Sequence, residues 1–428
     1  MGRRVDVVIS GAGPAGLAAG IVFARQGVQT LVCDQRKLPI DKPCGEGVMP
    51  TGVADLKRLG VMQYVDPEQA SPFTGICYVS PQGHTATANF AEGPGWGIRR
   101  TALSAALHRR AQDCPALAVL DGVQVKPVGY AADGLCVEID KREFSCRLLV
   151  GADGLSSPVR RWAGLDGQPQ TLRRYGVRQH FPLPPWNQYV EVHWTHGVEA
   201  YVTPCGPTQV GVSFLWDRAR YHRIHGGSAL IPSLMHAFPS LQRRLAGVKP
   251  CSAPRAIGPL YRTARAPVGD GVLLIGDAAG YLDAITGEGI SLALAQALCL
   301  ETRVVPLLQD RARPRSRLSA HDLRGYANAY RAIVQPYYRM TSLVLFLSRH
   351  PQLATLGIRI LGRQPAVFQR LLSANMGLVP PWALGWKNVW RLFRASLECG
   401  FRSAEVCGAT KLPRERFTTS DSVPPYAE

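Results

Sequence analysis

The sequence predicts an α/β protein: a parallel-sheet domain interrupted by an antiparallel β-sheet and followed by C-terminal helices. Three observations predict it. A β-branched run at the N-terminus, Val5-Asp6-Val7-Val8-Ile9, leads through Ser10 into Gly11-x-Gly13-x-x-Gly16 and small helix formers. A second apolar run, Gly271-Val272-Leu273-Leu274-Ile275, ends in Gly276-Asp277 far downstream. Between them, from about 172 to 252, β-branched and aromatic runs are split by turns.

The first stretch carries its own chemistry. Gly11 allows the tight turn, Gly13 lets the main chain approach a pyrophosphate, and Gly16 lets helix and strand pack closely. The helix starting there, through Pro14 and Ala15, aims free N–H groups and a positive dipole end at phosphates. A second strand, Thr30-Leu31-Val32-Cys33, ends at Asp34, placed to accept hydrogen bonds from a ribose. Strand, helix, second strand and acid together read as a Rossmann-type dinucleotide site.

Composition bounds the rest. The 428 residues suffice for two or three domains, and 46% hydrophobic with 19% charged residues is the balance of a soluble globular chain. No uninterrupted apolar run reaches the roughly 18 residues of a membrane span, and the first strand starts too early to leave room for a cleavable signal. Eleven scattered cysteines without a Cys-x-x-Cys pair point to reduced thiols in the cytoplasm and to no metal site. The net charge of +18 comes mostly from dispersed arginines, with clusters at 243–244 and 311–317. Without interleaved aromatics these form no base-stacking platform, so nucleic acid is not expected; a solvated surface or a peripheral contact with a membrane is.

In chain order, Lys42-Pro43-Cys44-Gly45-Glu46-Gly47 is a loop past the second strand, near the reactive end of a cofactor. Cys44 fits a redox or steric element and Glu46 a proton handler, or both only shape the loop. Residues 51–59 predict a helix, 67–95 antiparallel strands, and 98–111 an amphipathic helix with Arg100 at its start to hold a phosphate or ribose. Residues 118–125, 136–139 and 147–151 predict strands; the last leads into Gly151-Ala152-Asp153-Gly154 at a strand's carboxyl end, where open α/β sheets bind ligands. The aromatic sheet over 172–252 predicts the floor of a substrate pocket or ordinary core. After Asp277, Gly287 and Gly289 precede a helix over 290–298 and bring backbone amides towards an anionic or polarised ring. Past Arg317, Tyr326, Tyr330 and Ile333 share a helical face, and 341–378 predict two or three apolar, Arg-edged helices that cap a greasy site, rest on a bilayer or pack on the body.

Together these segments resemble the FAD-dependent monooxygenase and geranylgeranyl-reductase superfamily, single-Rossmann flavoprotein oxidoreductases, over about the first 310 residues. The resemblance implies FAD, with Gly11, Gly13, Pro14, Ala15 and Gly16 at its pyrophosphate and Asp34 at its adenosine ribose. It places Gly276 and Asp277 at the ribityl or pyrophosphate part, Gly287 and Gly289 at the isoalloxazine, and Asp153 near both FAD and reduced pyridine nucleotide. Gln35, Arg36, Arg100, Val125 and Ile290 complete the candidate cofactor set. NAD(P)H would bind transiently, or a partner would reduce the flavin, since no second complete Gly-x-Gly-x-x-Gly unit follows. The places of the His and Pro common in aromatic hydroxylases read Gly280 and Ala284-Ile285-Thr286, closer to the reductase branch, as is the Cys44 loop. The reductases' Tyr-x-Trp-x-Phe-Pro survives only as Tyr201-Val-Thr203-Pro204, and the halogenases' Trp-x-Trp-x-Ile-Pro is absent.

The implied domains are an FAD-binding one from 1–66, 91–165 and 262–310, a β-rich substrate domain from 67–90 and 166–261, a helical region over 311–415 and a disordered tail over 416–428. The first expectation for activity is a monooxygenase that hydroxylates or epoxidises an apolar or aromatic secondary metabolite with O₂ and NAD(P)H. The second is reduction or dehydrogenation of a carbon–carbon bond in a polyprenyl or polyketide chain, with Cys44 and Glu46 beside the flavin. The third is a non-catalytic flavin-binding partner protein.

Overall fold

The computed structural model describes residues 3–131, 134–168, 173–220, 229–310 and 316–379. The expected helical continuation from 380 to 415, the tail over 416–428 and residues 311–315 of the arginine cluster lie outside the described residues.

The buried β-branched runs assemble first. Arg3–Ser10 sits between Thr30–Asp34 and Arg142–Gly151, all parallel, with Leu117–Asp121 and Val272–Leu274 at the outer positions. Parallel strands covered on both faces need apolar side chains on both, which is why Val7, Val8, Ile9, Leu148, Leu149 and Val150 are wholly buried. The helix Pro14–Arg25 and the long helix Gly289–Arg303 pack on each other over this sheet. The apolar stretch Gly289–Gln309 is long enough to cross a membrane, but half of it is buried in the body and it serves as core.

One expected element divides. Residues 118–125 do not form a single strand: Leu117–Asp121 ends the parallel sheet, and Val125–Ala131 starts a meander with Gly134–Ile139. The break falls at Gly122, whose φ of +75° is left-handed backbone that a continuing strand cannot contain.

The second sheet has seven strands in the order Arg255–Ile257, Arg174–Phe181, Val210–Asp217, Val198–Pro204, Tyr189–Thr195, Gly75–Val79 and Thr85–Asn89. All pairings are antiparallel except that of Gly75–Val79 with Tyr189–Thr195. Val202, Val210, Val212 and Phe214 face short helices at Leu230–Met235 and Pro239–Arg244. Ile76, Val190, Val192 and Leu215 face the other way, into a cluster shared with the C-terminal helices. A small three-stranded sheet, Gly47–Val48, Gly95–Ile98 and Ala70–Phe73, bridges the two regions.

Residues 324–375 form three helices: Arg324–Ser348, Pro351–Arg363 and Pro365–Asn375. The shared face of Tyr326 and Tyr330 has a specific use. Tyr326 Oη donates to the Leu274 carbonyl, Tyr330 Oη to Ala279 and Tyr337 Oη to Asp283. One helix thereby satisfies three carbonyls along the Gly-Asp segment, each bond worth about 1 kcal/mol net.

A buried charge cluster joins the seven-stranded sheet to the segment that follows Asp277. Arg174 Nε donates to Asp283 Oδ2 at 2.8 Å and Nη2 to Glu199 Oε2 at 2.7 Å, with all three side chains buried. Burial opposes the guanidinium charge, yet the two carboxylates hold it protonated well above its ordinary range. Replacing Arg174 by Leu strands two buried carboxylates and is expected to cost about 3–5 kcal/mol; urea unfolding that shows less than about 1 kcal/mol of loss would contradict this.

Candidate active site

The glycine-rich turn has the shape its sequence requires. Gly11 lies at φ +109°, and a Cβ there would stand 2.4 Å from the Ala152 carbonyl oxygen. A Cβ on Gly16 would stand 1.8 Å from Gly11 O, so strand and helix tolerate no side chain. At Gly13 the nearest atom to such a Cβ is Arg100 Nη2 at 3.9 Å, so space is left open where a pyrophosphate would lie. Asp34 ends the second strand, its carboxylate accepting the N–H groups of Ala12 and Arg36, both at 2.8 Å. These bonds hold the acid at the mouth of the turn, with Gln35 and Arg36 exposed beside it.

From Gly13 the groove deepens into a cavity of about 350 Å³. It brings together Gly13, Pro14, Ala15, Cys44, Glu46, Arg100, Gly276, Asp277, Gly287, Gly289 and Ile290. Gly11, Gly16, Asp34, Gln35, Arg36, Val125 and Asp153 do not line it. Val125 is a buried residue of the meander. Asp153 Oδ2 accepts the N–H of Val159 at the start of a short helix, while its Oδ1 is buried without a partner; its neighbours Ala152, Gly154 and Leu155 reach the cavity instead.

Charges converge where cofactor phosphates and hydroxyls would meet the wall. Arg100 is buried, and its Nη1 has no hydrogen-bond partner. Burial lowers its pKa against the pull of Cys44, Glu46 and Asp277. Lys42, from the Cys44 loop, is likewise lowered by burial and countered mainly by Asp277. Asp277 is raised by burial, with Lys42 and Arg100 opposing. An unsatisfied guanidinium nitrogen, a lysine and an aspartate around an open glycine turn suit a polyanion carrying sugar hydroxyls.

The Cys44 loop is pinned by a network the sequence did not reveal. Glu46 sits at φ +62°, uncommon for a residue with a side chain, and its carboxylate is buried. Oε1 accepts the Arg100 N–H at 2.8 Å, and Oε2 meets His180 Nε2 at 2.6 Å and the Cys205 thiol at 3.3 Å. Arg178 Nη1 and Ser252 Oγ both lie 2.9 Å from His180 Nδ1; with the guanidinium donating there, Nε2 is left to donate to Glu46. Burial alone would raise the Glu46 carboxyl, but His180, Arg178 and the Arg100 N–H outweigh it and hold it below its ordinary value.

Glu46, expected as a proton handler or as a residue that shapes the loop, is a buried carboxylate whose hydrogen bonds hold the loop in place. Glu46, His180 and Cys205 place potential metal-ligand atoms within 4.8 Å of one another. Arg178 at 3.8 Å and Arg99 at 3.9 Å already neutralise that carboxylate, an environment hostile to a further cation. Cys44 lies half-buried in the cavity wall; burial pushes its thiol above the ordinary range and Arg100 only partly restores it, so it faces the cavity as a neutral thiol.

A nucleotide cradle that runs into a largely apolar cavity, beside a Gly-Asp segment and a glycine-flanked helix start, defines an FAD-dependent oxidoreductase. Residues 4–329 match the FAD binding domain family, and the chain belongs to it. It is similar to a menaquinone reductase of Mycolicibacterium smegmatis, 27% identical over 85% of this chain and 92% of that protein. It is similar also to digeranylgeranylglycerophospholipid reductase 1 of Methanothermobacter thermautotrophicus, 26% identical over 68% and 74%. A 3-(3-hydroxy-phenyl)propionate/3-hydroxycinnamic acid hydroxylase of Mycobacterium is 25% identical over 72% of this chain and 55% of its own length. Among solved structures, a flavoprotein/dehydrogenase from Cytophaga hutchinsonii superposes with TM-score 0.78 at 18% identity, over 93% of this chain and 100% of that one.

Replacing Asp277 by Ala is expected to yield folded protein depleted of FAD, measured as the ratio of flavin to protein absorbance. A variant that purifies as yellow as the parent would refute a cofactor contact at this position.

Proposed function

We propose that this chain reduces a carbon–carbon double bond in a substrate with a long apolar, isoprenoid-type chain. The carrying observation is the cavity wall opposite the cofactor loops. Met340, Leu343, Val344 and Leu347 from one helix, Leu361 from the next, and Leu371 and Leu372 from the third line it, facing Ile76, Val190 and Val192 of the seven-stranded sheet. Aliphatic side chains on both sides suit a hydrocarbon chain better than a compact polar ring. The names of two relatives, reductases of menaquinone and of digeranylgeranylglycerophospholipid, support the same reading.

FAD, when bound, supplies the redox chemistry, and the residues of this chain hold and screen it. Lys42 and Arg100 would hold its phosphates, Asp277 a ribityl or pyrophosphate-side hydroxyl, and Asp34 the adenosine ribose. Gly287, Gly289 and Ile290 would border the ring. The Glu46–His180–Arg178 network fixes the loop that sets Cys44 against the ring side of the cavity, and the three C-terminal helices exclude water from it.

Monooxygenation, the first expectation from sequence, would use the same cradle, and the hydroxylase relative supports it as the second reading. One experiment separates the two. FAD-loaded protein, a reduced nicotinamide and a geranylgeranyl-bearing lipid are incubated without oxygen, and in parallel under ¹⁸O₂. The proposal expects a product heavier by one pair of hydrogens without oxygen and no label under ¹⁸O₂. Stoichiometric label with no anaerobic product would replace reduction by monooxygenation.

The same reading includes delivery from a membrane surface. Arg339, Leu343 and Phe346 follow one another at helical spacing and are exposed, and Leu353 on the next helix is exposed too. Leu343 also lines the cavity, so the apolar patch is continuous with it. A basic, apolar helix edge on a chain of net charge +18 is complementary to an anionic bilayer. The expected result is cosedimentation with phosphatidylglycerol vesicles that falls at least about fivefold in Leu343→Glu/Phe346→Glu; equal pelleting of parent and variant would remove this patch from the account.

A further inference from the structure

We propose that Glu288 and Asn375 form a polar subsite inside the apolar cavity that grips a hydroxyl group on the substrate. This rests on the reading of the cavity as a site for a hydrocarbon-chained molecule and adds what its head must carry.

Both residues line the cavity. Glu288 lies between Gly287 and Gly289 and is only 3% exposed. Asn375 is the last residue of the helix Pro365–Asn375, and its Nδ2 donates to Glu288 Oε1 at 3.0 Å. That bond uses the amide as a donor and turns its carbonyl away. Asn375 Oδ1 is then buried with no hydrogen-bond partner, although a buried acceptor left unpaired costs about 1–3 kcal/mol. Beside Met340, Leu371, Leu372 and Met376 on the apolar side of the cavity, such an atom marks a place where a ligand completes the structure.

The two side chains have complementary unused capacities. Burial raises the Glu288 carboxyl to about 8, with Ser291 and Asn375 opposing only in part, so at neutral pH it keeps its proton. A neutral carboxyl has an O–H to donate, and Asn375 Oδ1 has lone pairs to fill. A single hydroxyl satisfies both: its oxygen accepts from Glu288 and its hydrogen goes to Asn375. A ketone would leave the amide oxygen unpaired, a carboxylate would face an unpaired amide oxygen, and a hydrocarbon would leave both groups unsatisfied. The chemistry points to an alcohol, enol or phenol at one end of an apolar chain.

The test compares farnesol with the matching hydrocarbon that lacks its hydroxyl, titrated by calorimetry into full-length FAD-loaded protein. The expected result is binding of both, with the alcohol at least about tenfold tighter. Glu288→Gln, whose amide can still donate to the hydroxyl and accept from Asn375, keeps that preference. Glu288→Leu and Asn375→Leu lose it while still binding the hydrocarbon and retaining flavin. Equal affinity of parent protein for the two probes, or a preference that survives both Leu variants, overturns the subsite and leaves the apolar cavity standing. Failure of the parent to bind either probe overturns the cavity reading and the subsite with it.

Discussion

Arg174 is the residue on which the arrangement of the site depends. It stands on a strand of the seven-stranded sheet and reaches Asp283, 109 positions away, in the segment that leads to the glycine-flanked helix start. A buried guanidinium between two carboxylates has few tolerable positions, because any displacement leaves a charge unpaired in a medium that cannot solvate it. The cost of failure, more than any gain from the pair itself, fixes the seven-stranded sheet against the Asp283 segment. Tyr337 donates to the Asp283 carbonyl and Tyr201 to that of Ile285, so the same short segment is gripped from the C-terminal helix and from the sheet. The seven-stranded sheet, that helix and the segment they grip thereby share one cavity.

The second constraint acts on the facing loop. Cys44-Gly45-Glu46-Gly47 contains two glycines and a residue at positive φ, a combination with little conformational preference of its own. It is ordered from outside, by a carboxylate that a neutral histidine, two arginines and a backbone N–H all address. The loop that places Cys44 in the cavity wall therefore answers to residues on the substrate sheet, notably Arg178 and His180. Both walls of the cavity inherit their positions from buried ionic contacts with that sheet, which makes it a scaffold for the cofactor loop and the Gly-Asp segment alike.

Much of the fold was legible in sequence because its signals are local. The order of Gly11, Gly13 and Gly16 between strand and helix, the acid at Asp34, and the Gly276-Asp277 turn are each read within about twenty residues. The β-branched and aromatic runs split by turns between 172 and 252 announced strands of a second sheet. Residues 118–125 divide because the left-handed backbone at Gly122 ends a strand, a conformation that a lone glycine in an apolar run does not announce. What sequence could not show were the partnerships across the chain. Nothing near Glu46 in sequence hints at His180, 134 positions on, so a proton handler and a loop-shaping residue could not be told apart there. Glu288 passed as the variable residue between two glycines, and Asn375, 87 positions later, carried no signal at all. A charged residue inside an apolar strand, such as Glu199 after Val198 and before Ala200, was the one available hint of a buried ionic cluster.

The central claim is that one continuous cavity receives a hydrocarbon chain between the cofactor segment and the C-terminal helices. The most direct measurement is a crystal structure of the FAD-loaded protein with a bound geranylgeranyl lipid. The account predicts the chain between Ile285 and Ile290 on one side and Leu343, Leu347 and Leu371 on the other. A chain bound outside these walls, or C-terminal helices displaced so that they no longer meet the cofactor segment, would contradict it.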